Sequence, residues 1–140
     1  MTRYSRALCP NYQAAVNLIG KRWTGLVLLI LMDGPARFGE LLEKLEVVGD
    51  RILSERLKEL EAEGVVERRV LPTHPVRVEY ELTEKGRALA PVIDALAKWG
   101  DTWVSIDPKQ AAEFEAAADA EEAEEKTPSR RTKRKAAGAA

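Results

Sequence analysis

The residues capable of covalent chemistry are few, because the chain has one cysteine, Cys9, and one histidine, His74. A cysteine and a histidine can act as a nucleophile and its base, but these two belong to different predicted elements, and His74 falls in an exposed loop. One cysteine and one histidine cannot supply four ligands to a zinc ion from a single chain. Gly34-Pro35 is typical of a turn rather than of a phosphate-binding loop. The sequence therefore predicts no enzyme, no metal and no cofactor.

Cys9 could instead sense oxidants or electrophiles. It precedes Pro10, and because proline suits the first position of a helix, the thiol is predicted at a helix N-cap. The positive end of the helix dipole, together with Arg3 and Arg6, would favour the thiolate there. Since the chain has no second cysteine, oxidation would end in a disulfide to another subunit or to a small thiol. The alternative is a small side chain that only packs.

Non-covalent chemistry is concentrated in residues 48–64, where an apolar and a charged face alternate with helical spacing. The apolar face, which needs a core, consists of Leu53, Leu57 and Leu60. The charged face carries Arg51, Glu55 and Lys58, with Ser54 and Glu59 at its flanks. Gly64 is predicted to end the helix in a left-handed conformation. Such a face is either simply solvated or able to bind base edges and phosphates, and the neighbouring elements decide between the two.

The segment before it predicts a shorter amphipathic helix. Its apolar positions are Phe38, Leu41, Leu42 and Leu45. Only residues 47–49 connect it to the next helix, and two short helices joined so tightly predict a helix-turn-helix, whose second helix can enter a major groove of DNA. The DNA contacts predicted on these two helices are Arg37, Asp50, Arg51, Ser54, Glu55 and Lys58.

After Gly64 the apolar pattern changes to the twofold alternation of strands, which predicts strands at 66–71 and 76–82. Pro72 and Pro75 interrupt hydrogen bonding between them, so the segment is predicted to be an antiparallel hairpin with a protruding tip. A hairpin directly after a helix-turn-helix is a wing. Its predicted contacts to phosphates or a minor groove are Arg68, Arg69 and Arg77.

Helices are predicted at both ends of this motif. The first runs from Pro10 to Gly20, and the second, from Lys21 to Met32, is apolar on nearly all sides and is predicted to be the central buried helix, with Trp23 in the core. Thr83 is predicted to cap a helix that Pro91 either kinks or restarts. Beyond it a long apolar ridge requires a partner, most simply a second copy of the chain. The interface is predicted to consist of Ile93, Leu96, Trp99 and Trp103.

Residues 1–107 are predicted to form the folded domain and residues 108–140 a flexible tail. The tail is rich in alanine and glutamate at first, where a helix that frays is predicted, and then in lysine and arginine, where disorder is predicted. It serves either solubility or weak attachment to DNA. The longest uninterrupted apolar run, 26–32, is too short to cross a membrane, and the N-terminus lacks the apolar segment of a secretion signal. These features predict a cytoplasmic protein.

Charge is balanced along the chain. Residues 1–107 hold 15 Lys and Arg and 16 Asp and Glu, and the tail holds 7 of each. Any binding to DNA must therefore use locally clustered cations rather than a general positive field, and binding without sequence preference should be weak.

In its motifs the sequence resembles the HxlR family of bacterial winged-helix regulators, relatives of the MarR type. The matching stretches are Cys9-Pro10, Leu18 to Trp23, Arg37 to Leu41, Leu53 to Glu61, Val76 to Thr83 and Trp99-Gly100. The resemblance implies an α+β fold, mainly α, with a winged helix-turn-helix and terminal helices that form a homodimer. It also implies a transcription factor, a repressor by expectation, that binds an inverted-repeat operator and responds to oxidants through the cysteine before the first helix. Gly49, where the family commonly has serine, and the tail depart from the family pattern.

One rival function stays open on the sequence. A winged helix can also serve as a protein-interaction module that binds no specific DNA, and the residue pattern does not separate the two.

Overall fold

A computed structural model describes residues 9–46 and 48–125. In chain order the elements are α1 (Pro10–Ile19), α2 (Thr24–Met32), β1 (Ala36–Arg37), α3 (Phe38–Leu45), α4 (Asp50–Ala62), β2 (Val66–Leu71), β3 (Arg77–Leu82), α5 (Glu84–Arg87), α6 (Ala90–Trp103) and α7 (Pro108–Glu125). The chain divides into two compact units between Val104 and Ser105. The first unit is a winged helix-turn-helix, as the sequence predicts.

The core of the first unit lies where α4 packs on α2 and the sheet. Leu53, Leu57 and Leu60 of α4 are at most 1% exposed, which confirms the predicted apolar face. The other buried apolar residues of the core include Val27, Leu28, Leu31, Leu41, Ile52, Val65, Val66 and Leu82. Truncating one of these leucines to alanine typically costs about 2–5 kcal/mol, so this packing fixes where α4 lies.

The end of α4 explains the abrupt change to strands. Gly64 has φ of +70°, as predicted, and its N–H donates to the oxygen of Glu61 at 3.0 Å. The N–H of Val65 donates to the oxygen of Leu60 at 2.9 Å, and both side chains are buried. This pair of bonds is a Schellman motif, which satisfies the last helical carbonyls and directs the chain into β2.

The sheet has three antiparallel strands in the order β1-β3-β2. The sequence predicts β2 and β3 correctly to within one residue, but it misses β1, because two residues are too few to show a twofold pattern. β1 pairs Ala36 with Tyr80 and Arg37 with Glu79, so it ties the start of α3 to the wing. The first helix of the helix-turn-helix and the wing therefore share one sheet.

Two expectations about α2 are wrong. The helix begins at Thr24 rather than at Lys21, because Trp23 has φ of 71°, in the left-handed region, and breaks the helical path. The helix is also buried on one side only, since Leu26 and Leu29 are 46% and 39% exposed. Trp23 itself is half-buried and packs against the core, as predicted.

The predicted break at Pro91 is a restart. Thr83 caps α5 by accepting a hydrogen bond from the N–H of Gly86 at 3.2 Å, and α6 begins anew with Pro91 in its first turn. Gly86 is required there, because a Cβ atom would overlap the backbone oxygen of Val65. α5 therefore packs closely on the chain between α4 and β2.

The second described unit contains α7, which begins three residues before the predicted alanine-rich helix. Asp107 Oδ1 accepts from the N–H of Gln110 at 2.8 Å, which caps the first turn. Residues 126–140, where the sequence predicts disorder, lie outside the described residues.

No single helix among residues 9–46 and 48–125 is both long and apolar enough to cross a membrane. α1 and α2 reach that length and composition only together, with a bend of 81° between them.

Candidate nucleic-acid interface

The outward face of α4 carries the residues predicted to meet bases. Arg51 is about half exposed, and its Nε lies 3.4 Å from Oε1 of Glu55, one turn on. Ser54 and Glu55 are half-buried beside it, whereas Lys58 is exposed and has no ion-pair partner within the described residues. The structure thus brings Arg51, Glu55 and Lys58 together on one helix surface that can donate and accept hydrogen bonds.

The N-terminal end of α4 has no side-chain cap. Its N-cap is Gly49, which has no side chain to accept a bond from the first turn. Asp50 lies in that turn, where a carboxylate is favoured by the helix dipole. A phosphate bound at this end would therefore meet free backbone N–H groups and one negative charge.

Arg37 lies where β1 ends and α3 begins, as the N-cap residue of α3. Its backbone N–H donates to Glu40 Oε2 at 3.1 Å, and its guanidinium donates to Oε1 of the same residue at 2.9 and 3.0 Å. The backbone bond and then the guanidinium lower the pKa of Glu40 below its ordinary value. Arg37 is therefore held in a defined orientation at the start of α3.

The strand register separates the three predicted wing arginines. Arg69 and Arg77 lie on one face, opposite Glu79 and Leu71 respectively, and Arg68 lies on the other face, opposite Tyr80. All three side chains are exposed. If one face of the wing contacts DNA, Arg69 and Arg77 are on the same side and Arg68 is on the opposite side.

The same register places Arg37, Glu79 and Arg69 in one row across the sheet. Nη1 of Arg69 lies 2.9 Å from Oε2 of Glu81. That oxygen is buried and receives no well-aligned hydrogen bond from the described residues, so the attraction is electrostatic rather than directional. Arg69 is thus engaged within the protein, whereas Arg68 and Arg77 have no ion-pair partner in the described part of the chain.

Sequence reasoning missed Arg56 as a contact residue. Its Nε donates to the backbone oxygen of Arg22 at 2.9 Å, and its Nη1 lies 3.2 Å from Oε1 of Glu59. The same Glu59 oxygen pairs with Nζ of Lys21 at 3.1 Å. The sequence does contain a signal for this role. At 100° per residue, Arg56 lies between Ile52 and Leu60 on the circumference of α4, on the apolar side that must face the protein.

Cys9 is the N-cap residue of α1, as predicted, and its side chain is half-buried and unbridged. Arg3 and Arg6, which were expected to favour the thiolate, lie outside the described residues. His74 lies in the exposed loop between β2 and β3. No group of three potential metal ligands occurs in the described part of the chain.

The predicted interface ridge on α6 requires one correction. Ile93 is 3% exposed and belongs to the core of its own chain, so it is unavailable to a partner. Leu96, Trp99 and Trp103 are 58%, 58% and 73% exposed. They form one stripe along α6, which we call the α6 stripe.

Comparison with known proteins places these features in a family. The sequence profile described as HxlR-like helix-turn-helix matches residues 18–108. The chain is 50% identical over 101 residues to the uncharacterized HTH-type transcriptional regulator YvaP of Bacillus subtilis, covering 72% of this chain and 92% of that protein. It is equally identical over 94 residues to the HTH-type transcriptional regulator YodB of the same bacterium, covering 67% of this chain and 84% of YodB.

Solved structures give the same likeness. The reduced form of YodB from B. subtilis superposes with a TM-score of 0.64 at 48% identity, over 70% of this chain and 96% of that one. YodB has also been solved after diamide treatment and with bound quinone. The redox regulator HypR in its oxidized form superposes with a TM-score of 0.66 at 36% identity, over 70% of this chain and all of that one.

Proposed function

The chain belongs to the HxlR-like helix-turn-helix family of transcriptional regulators, and on that premise we propose that it binds an inverted-repeat operator as a homodimer and represses transcription. Membership of a regulator family confirms the prediction that the chain is a DNA-binding protein and not an enzyme. A regulator of this kind works where the chromosome lies, so we include a cytoplasmic location in the proposal.

The observation that carries the proposal is the outward face of α4. Apolar packing holds this helix from one side, and its other side presents Arg51, Glu55 and Lys58 in a row. A helix of this kind fits a major groove, where arginine recognises guanine and carboxylates accept hydrogen bonds from cytosine. We assign base contacts to Arg51, Ser54 and Glu55. Phosphate contacts are assigned to Arg37, Lys58, Arg68, Arg69 and Arg77, and Asp50 orients the start of the helix.

The α6 stripe supports the homodimer. Two exposed tryptophans in neighbouring turns present an apolar surface that a monomer would leave in water. α1 adds Tyr12 and Val16, which are 68% and 41% exposed one turn apart. A twofold dimer through these terminal helices would require inverted half-sites about 10–10.5 base pairs apart, or a multiple of that spacing.

Cys9 is proposed as the sensing residue. An oxidant such as diamide would take two electrons and two protons from two Cys9 thiols, which would join in a disulfide between subunits while the diamide N=N bond becomes a hydrazine. A quinone would instead accept the thiolate at a ring carbon, which forms one C–S bond and, after protonation, a hydroquinone thioether. Either product modifies the start of α1. The existence of YodB structures in reduced, diamide-treated and quinone-bound forms supports this choice of reagents.

Selection of bound duplexes from a random DNA pool, followed by a gel shift on the DNA upstream of the gene that encodes this protein, tests the proposal. We expect an inverted repeat that is bound at least about 1,000-fold more tightly than a shuffled duplex at physiological salt. If all duplexes bind equally weakly, the protein is a winged-helix interaction module and the DNA-binding proposal is wrong.

A further inference from the structure

We propose that Arg56 is a positioning residue of α4, the helix that we propose to read the bases. Arg56 links the orientation of α4 to the corner of the chain between α1 and α2. The proposal rests on the DNA-binding role proposed above. Arg56 stands five positions after Arg51, which at 100° per residue places it about 140° around the helix. Its side chain is only 13% exposed. It therefore faces the protein when Arg51 faces DNA.

The contacts of Arg56 converge on two consecutive residues of that corner. Nε donates to the backbone oxygen of Arg22 at 2.9 Å. Nη1 lies 3.2 Å from Glu59, whose Oε1 also holds Lys21 Nζ at 3.1 Å. The planar guanidinium has its donors in fixed directions, so it can satisfy both acceptors in one orientation only. The recognition helix is thus tied directionally to Lys21 and Arg22.

The corner is a strained segment. Trp23 has φ of 71° without being glycine, a conformation that costs about 1–3 kcal/mol and persists only where its surroundings hold it. The guanidinium of Arg22 lies 4.9 Å from the centre of the Trp23 ring and packs over it. Arg56 hydrogen-bonds the backbone oxygen of Arg22, the residue directly before Trp23. A rotation of α4 would therefore displace the backbone next to the strained Trp23.

Apolar packing does not replace this link. The buried leucines of α4 determine which side of the helix faces the core. Arg56 adds on that side hydrogen bonds with a preferred direction, which apolar contacts lack. α1 has no buried residue, and α1 and the C-terminal half of α4 line a groove of about 390 Å³, whose residues include Ala14, Leu18, Lys21, Glu59 and Glu63. Hydrogen bonds that read bases tolerate errors of only about 10–20°, so a directional contact is needed to hold Arg51 in register.

The test compares Arg56→Ala with wild type in the full-length chain, on a selected operator and on a shuffled duplex over a range of salt concentrations. We expect at least a 10-fold loss of affinity for the operator, a change within about twofold for the shuffled duplex, and the same salt dependence, because Arg56 meets no phosphate. Arg87→Ala is the matched control. It removes another guanidinium bond to a backbone oxygen, from Arg87 to Leu82 at 2.7 Å, away from α4.

Two outcomes would overturn the proposal. Equal losses on both duplexes with a flatter salt dependence would make Arg56 a direct DNA contact. If folded Arg56→Ala binds the operator as tightly as wild type, Arg56 contributes to the stability of the fold and not to DNA recognition. Arg56→Lys gives a further check. It keeps the charge beside Glu59 but lacks the planar fork, so it should resemble Arg56→Ala in its ratio of operator to shuffled affinity.

Hydrogen exchange without DNA separates this proposal from the proposed function. The N–H of Thr24 donates to Lys21 at 3.2 Å, and the N–H of Val27 donates to Trp23 at 3.0 Å. In Arg56→Ala these two amides should exchange at least 10-fold faster relative to those of β2 and β3. Unchanged exchange contradicts the link. If wild type selects no operator, the proposed function fails while this measurement still decides whether Arg56 holds the corner.

Discussion

At the scale of single residues, the cations of the proposed interface differ in their surroundings. Arg51 is aligned by Glu55 on the helix that we propose to enter the groove, and Arg77 is exposed at the start of β3. An aligned guanidinium suits a bidentate base contact, whereas an exposed one at the end of a strand suits a phosphate.

Arg51→Ala and Arg77→Ala should therefore have different effects. Loss of Arg51 should cost about 1–3 kcal/mol on the operator and relax preference at one base pair. Loss of Arg77 should weaken all duplexes alike and reduce the salt slope by about one. Titrations of operator and shuffled duplex at several salt concentrations measure both effects. Small, equal effects from the two changes would show that the charged face is merely solvated.

Cys9 permits a second prediction at this scale. Diamide or a quinone should lower the operator affinity of wild type by at least about 10-fold, and Cys9→Ser should keep its affinity, because serine has no comparable nucleophile. Mass spectrometry confirms the modification, and a reductant should restore the diamide-treated protein but not the quinone adduct. If wild type retains full affinity after confirmed modification, Cys9 only packs.

At the scale of elements, α6 has one side that packs in the core and one side that is exposed. Ile93 is buried in the core of its own chain, and the α6 stripe points outward. One helix can therefore stabilise the winged domain and still offer a surface to a second copy.

Replacing Trp99 and Trp103 of the α6 stripe together by alanine should yield monomers or insoluble protein in sedimentation. The reason is that aromatic pairs in neighbouring turns dominate such interfaces. Phe114→Ala, which removes a 63% exposed aromatic side chain from α7, is the control and should leave the assembly unchanged. Truncation before Pro108 should also preserve it. A stable, soluble dimer of the double variant would exclude the stripe as the interface.

At the scale of the whole molecule, residues 1–107 carry no surplus positive charge, and several arginines of the winged domain are paired with carboxylates of the same chain. The described examples include Arg37 with Glu40, Arg51 with Glu55, Arg56 with Glu59 and Arg69 with Glu81. Residues 126–135, in contrast, hold six Lys and Arg and no Asp or Glu. Affinity for DNA of any sequence should therefore depend on the tail more than on the winged domain.

Replacing those six cations by glutamine in the full-length chain should lower affinity for operator and shuffled DNA by a similar factor. The ratio of operator affinity to shuffled-duplex affinity should stay unchanged, because phosphate contacts carry no sequence information. The salt slope should fall by up to about five per subunit, at roughly 0.9 for each lost contact. A tail of the same composition in scrambled order is the control and should behave like wild type. An unchanged salt slope would leave the tail with a role in solubility alone.

The sequence by itself determined the winged helix-turn-helix, because each of its signals is local. The signals are the apolar positions three and four residues apart in α3 and α4, the left-handed Gly64, the alternating residues of β3 and the cap at Thr83. Each acts within a few residues, and the structure has the predicted helix, turn, strand or cap at each place. The burial along β3 does not alternate, since Glu79 and Glu81 are half-buried as Val78 and Tyr80 are. The motifs also sufficed to identify the family. The charged face of α4 followed from the same spacing, since the side opposite a buried stripe must be exposed.

Only the tertiary structure decided which surfaces are covered and which cations are engaged. The pairing of Arg37 with Glu79 across β1 and the bond from Arg56 to Arg22 join residues distant in sequence, which no local pattern encodes. The left-handed Trp23 made the helical prediction from Lys21 wrong, because a tryptophan rarely adopts a positive φ and its packing against the core is not visible in the local pattern. Ile93 and Leu96 look alike in the sequence, and it is the packing of α6 on the rest of the chain that buries one and exposes the other.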